Sequence, residues 1–148
     1  MSRLDLNTAV SLAQRAIAEG IERGFHPLGA AVLDSHGHPL AVLRHPDASF
    51  LRPQIASAKA KGCVGMGFGG RELARRAQGV PTFFDALNSL TGGQVIPVAG
   101  GVLIRNAEGT LLGALGISGD TSDNDEICAV AAIQAAGLVA DTGDKVAL

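Results

Sequence analysis

Leu6, Val10, Ala13, Ile17 and Ile21 recur at intervals of four, three, four and four, which lines them along one face of a helix over about residues 5–23. Asp5 is placed to cap its start and Gly24 to end it. The period then changes. Two short β-rich runs, residues 28–33 and 38–43, flank Asp34-Ser35-His36-Gly37 and read as a hairpin. Arg44-His45-Pro46-Asp47 breaks the second strand. Pro53 then stands where the first turn of a helix tolerates a missing N–H, ahead of the Ala- and Lys-rich residues 54–63. A further helix is predicted over 71–77, a short helical turn around Phe83-Phe84-Asp85, and a loop at 91–94. Residues 101–105 and 110–117, joined by Asn106-Ala107-Glu108-Gly109, predict a second hairpin. A last helix spans about 123–138, with Ser122 and Asp125 spaced as in a capping box. Antiparallel hairpins with helices at their flanks make an α+β domain.

Composition narrows the classes. A chain of 148 residues with 47% hydrophobic content can bury one sizeable core, which predicts a single domain over residues 1–148. With 12 Lys+Arg against 14 Asp+Glu there is no broad basic field, so neither nucleic acid nor an anionic membrane surface is an expected partner. The first ten residues lack the continuous apolar core of a signal peptide, and no run approaches the ~20 apolar residues of a bilayer span. A cytoplasmic location is expected. Cys63 and Cys128 lie in apolar surroundings and read as free, buried thiols.

Several stretches carry possible chemistry. Gly65, Gly67 and Gly70 match G-x-G-x-x-G, but a dinucleotide turn needs a strand before the glycines, and here a helix precedes them. They read as a corner between two helices. Gly113, Gly116 and Gly119 do lead from a strand into a helix, yet Asp120, Asp123, Asp125 and Glu126 crowd that helix start and would repel a phosphate. The same acids fail as a calcium loop, because Asp125 stands where the loop requires glycine. Of the histidines, His36 and His38 belong to a hairpin tip. His26 and His45 flank the paired ends of the first two strands and are candidate ligands for a metal or a haem iron. Lys59 and Lys61 lie on the second helix, where lysines are ordinarily solvated.

Residues 95–138 add a set of coupled landmarks: Pro97, Gly100-Gly101-Val102, the turn at Gly109, Gly113 through Ser118-Gly119, and the acidic helix start at Asp123 to Glu126. Upstream, the amphipathic first helix, the strand around AAVLDSHGHPLAV and the helix with Lys59-Ala60 follow in the same order. In these features the chain resembles the GlcG/HbpS family of haem-binding proteins, which also occurs as the C-terminal domain of PduO-type proteins. It departs at Arg44-His45-Pro46-Asp47, where the family commonly has an Arg-Met-Asp-Gly type of turn, and at Leu103, where Pro is common. The resemblance implies a profilin-like antiparallel sheet with flanking helices, assembly into a homo-oligomer (a dimer or higher), and haem or a related tetrapyrrole as ligand.

Haem requires an apolar slot, an axial donor and cations for its propionates. The candidate donors are His45 and His26, and the candidate cations Arg44, Arg52 and Lys59. A cofactor pocket is expected where Arg44, His45 and Lys59 meet the backbone of Gly100, Gly101, Ser118 and Gly119. Two other classes fit the same residues. One is a small enzyme acting on an organic acid or carbonyl compound, with Lys59 or Asp120 transferring a proton. The other is an accessory or structural subunit without pocket chemistry.

Overall fold

The computed structural model describes residues 1–144. Its elements run α1 (Leu6–Glu22), β1 (Gly29–Asp34), β2 (Pro39–Arg44), α2 (Arg52–Met66), α3 (Gly70–Gly79), α4 (Pro81–Leu90), β3 (Gly101–Arg105), β4 (Leu111–Ser118), α5 (Ser122–Ala135) and β5 (Val139–Asp141). The strands form one antiparallel sheet in the order β2-β1-β4-β3-β5. The α+β architecture and both hairpins are as the sequence predicts.

Strand alternation sends neighbouring side chains to opposite faces, and each face has its own core. Ala30, Val32, Val102, Ile104, Leu115 and Ile117 join Leu12, Ala13 and Ala16 of α1 and Cys128, Ala129 and Ile133 of α5. On the other face Leu33, Leu103 and Ala114 join Ala60 and Cys63 of α2, Leu73 of α3 and Phe84 of α4. The second face is also lined by glycine. A Cβ on Gly116 would lie 1.9 Å from the carbonyl oxygen of Ala56, and one on Gly101 would lie 2.6 Å from that of Lys59. Helix α2 therefore lies almost in contact with the strand backbone, a separation no larger residue permits.

The helix ends follow local rules with one correction. Asp5 caps α1 by accepting from the Thr8 N–H at 2.7 Å. Pro53 sits in the first turn of α2, and Gly67 closes that helix at φ 80°, so the predicted corner runs from Gly67 to Gly70, while Gly65 lies within the last turn of α2. The cap of α5 is Thr121, whose hydroxyl accepts from the Asn124 N–H; the capping box expected at Ser122 is displaced by one residue, which frees Asp125 to turn inward. The turn expected around Phe83 is a ten-residue helix, opened by Pro81 and anchored by buried Phe84. Strand β5 is an addition. Three residues carry too little pattern to read, and the strand is held on β3 with help from the Arg105–Asp141 ion pair at 3.0 Å.

Candidate functional site

Helix α2 delivers Lys59 to the sheet rather than to water. Its side chain is 4% exposed, and the ammonium donates to the Ile117 carbonyl oxygen and to Asp125 Oδ2, each at 3.0 Å. Asp125, 1% exposed, also accepts the Asp120 N–H through Oδ1 at 2.9 Å. Gly100, at φ 108°, passes over this pair so closely that a Cβ would stand 2.8 Å from the ammonium. Burial pushes the Asp125 carboxyl above its usual range, opposed by the Lys59 charge and the Asp120 N–H. This buried pair ties α2 to the end of β4 and the start of α5.

Asp120 works just outside it. The carboxylate accepts from the His26 N–H at 2.8 Å, the Asn124 side-chain amide at 2.7 Å and the Thr121 N–H at 2.8 Å. These bonds, the His26 N–H first, hold its carboxyl down to about 2. A carboxylate so weakly basic is a poor proton acceptor at neutral pH, and the Lys59 ammonium is paired with Asp125 and the Ile117 carbonyl oxygen in a packed interior. Their arrangement serves anchoring better than proton transfer.

The second region lies on the other face, where α1 crosses the edge strand β2. Gln14, Ile17, Ala18 and Ile21 of α1, with Leu43, Arg44, His45 and Pro46, line an open, largely apolar groove of about 370 Å³. Arg44 stiffens one end: its Nη1 donates to the carbonyl oxygens of His45, Pro46 and Ala48 at 3.2, 3.0 and 2.8 Å. His45 is half-buried, and its Nδ1 accepts the Asp47 N–H at 3.0 Å. That bond uses the Nδ1 lone pair, so in the neutral ring the proton lies on Nε2.

The predicted site residues thus fall into separate places. Arg44 and His45 border the groove. Lys59, Gly100 and Gly101 meet in the packed interior. Ser118 is buried and accepts from Arg52 Nη1 at 3.1 Å, while Gly119 abuts the Pro27 carbonyl oxygen. His26 is exposed and is held through its backbone by Asp120. Strand pairing does bring the two histidine-bearing ends together, since His45 N–H donates to the Leu28 carbonyl oxygen at 3.0 Å. Among the described residues no group of three His, Cys, Asp or Glu side chains is arranged to hold a metal ion. In the sequence pattern the groove residues Ile17, Ile21 and Leu43 belong only to a helix face and a strand. Ile21, 59% exposed at the end of an apolar stripe, is the signal that part of that face is left uncovered.

Residues 4–134 match the protein family described as haem degrading protein HbpS-like. The corrinoid adenosyltransferase PduO of Salmonella typhimurium is 31% identical over 121 residues, covering 82% of this chain but 35% of that protein, so the chain spans about a third of the curated relative. The crystal structure of a PduOC:heme complex superposes with a TM-score of 0.80 at 27% identity, covering 96% of this chain and 99% of that one. A double mutant of Streptomyces reticuli HbpS superposes with a TM-score of 0.78 at 28% identity, covering 91% and 88%.

Proposed function

This chain belongs to the HbpS-like family, and from that premise we propose that it is a cofactor-binding protein whose ligand is haem or a related tetrapyrrole. One observation carries the reading: the groove between α1 and β2 combines an apolar wall of Ile17, Ile21 and Leu43 with an imidazole and a guanidinium at one end. Those are the parts that a flat, apolar macrocycle with a metal centre and two carboxylates calls for. The heme complex of a relative that covers nearly the whole chain supports the same ligand class.

In this reading His45 is the axial donor and Arg44 the propionate contact. The Arg44 Nη1 is spent on loop carbonyls, so Nε and Nη2 are the groups that face an anion. Coordination through His45 Nε2 requires the ring proton on Nδ1, so ligation would give up the Asp47 N–H bond that Nδ1 accepts here and move the proton across the ring. His26 is the alternative donor from the neighbouring strand end. Lys59, Gly100, Gly101, Ser118 and Gly119 hold the frame behind the groove.

The reading extends to a cytoplasmic homo-oligomer. Phe50 at 78% and Leu90 at 82% exposure, with Val42, Val80 and Phe83, leave apolar surface that assembly would cover. Light scattering at micromolar concentration tests assembly, and a monomer there rejects it. Ligand binding is tested by absorbance titration with hemin: a saturable Soret change at one hemin per chain is expected, altered in position or weakened in His45→Ala. No saturable change rejects the tetrapyrrole reading, and an unchanged spectrum in both His45→Ala and His26→Ala rejects these ligands.

A further inference from the structure

A second crevice lies on the opposite side of the sheet, between the outer face of α2 and the loop after α4. Gln54, Ser57, Ala58 and Lys61 recur at helical spacing along α2 and face Gly92, Gly93 and Gln94 across a space of about 440 Å³. None of the residues lining it is acidic, and residues 48–71 contain no Asp or Glu. The positive charge of Lys59 is matched internally by Asp125. Lys61 has no carboxylate partner among the described residues, and its ammonium donates to the Gln94 side-chain oxygen at 2.5 Å. That contact fixes Gln94 with its amide nitrogen free to donate.

Among the described residues Lys61 makes its one hydrogen bond to Gln94 and none to the nearby end of α4. Lysines near a helix C-terminus often serve its unpaired carbonyls. Here the carbonyls of Leu87, Asn88 and Ser89 already have donors: Thr91 N–H and its hydroxyl donate to Leu87, the same hydroxyl and Gly93 N–H to Asn88, and Gly92 N–H to Ser89. The remaining ammonium protons, the Ser57 hydroxyl and the amides of Gln54 and Gln94 are left around one space. One positive charge with several neutral donors complements one negative charge on a small planar group better than the two charges of a phosphate.

We propose that this crevice binds a small monocarboxylate, with its carboxylate on Lys61 and its remaining polar atoms on Ser57, Gln54 and Gln94. The site is independent of the groove at His45 and does not require a tetrapyrrole. Buried Ala58 supplies an apolar floor for the carbon next to the carboxylate.

Amide-resolved NMR titration of the protein with sodium acetate and sodium propionate, at constant ionic strength made up with chloride, tests this. Saturable shifts are expected at Ser57, Lys61, Gly92, Gly93 and Gln94. Loss of the charge in Lys61→Gln is expected to weaken binding by about tenfold or more, the scale of one charge-assisted hydrogen bond, with an unchanged melting temperature because the side chain lies at the surface. Gln94→Ala is expected to weaken it less. Shifts that never saturate, acetate binding in Lys61→Gln equal to that of the parent, or sodium phosphate displacing acetate at equal or lower concentration would each overturn the proposal.

Discussion

Lys59→Met removes one partner of the buried ion pair while roughly keeping the aliphatic volume of the side chain. The carboxylate left behind is 1% exposed, retains the Asp120 N–H, and loses a charged donor at 3.0 Å; the Ile117 carbonyl oxygen loses its lysine donor as well. Breaking a buried pair in this way costs about 3–5 kcal/mol. At about 4 °C per kcal/mol for a chain of this length, the melting temperature should fall by about 12–20 °C. The pH dependence identifies the cause. Burial already raises the Asp125 carboxyl above 3.8, and loss of the lysine charge, which opposes that rise, raises it further. Between 3.8 and the raised value the folded variant binds more protons than the unfolded chain, so its stability falls as pH rises. The deficit against the parent is therefore greatest near neutrality and shrinks on acidification. Denaturant unfolding of the parent, Lys59→Met, Asp125→Leu and the double variant at pH 7 and pH 5 measures this. A single-variant cost below about 1 kcal/mol, of the order of a surface pair, or a deficit that grows on acidification, would refute the reasoning.

Other consequences are as direct. Asp120, held down to about 2 by its N–H donors, contributes stability above its unfolded value of 3.8 that is lost as pH falls through about 2; acid unfolding should show a shallower slope in Asp120→Asn between those limits. Gly116→Ala in β4 forces a methyl to 1.9 Å from the Ala56 oxygen and should cost about 3 kcal/mol or more, whereas Gly65→Ala in α2, with nothing within 4 Å, should gain about 0.5–1 kcal/mol; calorimetry compares them. Burial pushes Cys63 up to about 12 and Cys128 to about 11, so thiol reagents at pH 8 should label neither in the folded protein and both in denaturant.

Much of this fold was legible because periodicity reports which face is buried. The stripe from Leu6 to Ile21, the two hairpins and Pro53 each have a local cause, and each element appears within a few residues of its expected limits. The site was less legible because its pieces are assembled by topology. Sequence placed Arg44, His45, Lys59 and the glycines in one pocket; the sheet instead separates a surface groove from a packed interior. Lys59 looked like a solvated lysine because its partner lies 66 positions away, and Asp125 looked like a helix-capping acid. Nothing in the spacing of either residue announces a pair that forms only when α2 lies flush against glycine backbone. The groove escaped for a related reason: an exposed Ile21 differs from a buried one only by what the edge strand leaves uncovered.

The central claim is that a tetrapyrrole sits between α1 and β2. Amide-resolved NMR of the protein with one equivalent of hemin tests its place directly, since a paramagnetic iron broadens signals near it. The account predicts loss of the Ile17, Ala18, Ile21, Leu43 and His45 amides while those of Lys61 and Leu90 stay sharp. Broadening centred elsewhere, or none at saturating hemin, would contradict it.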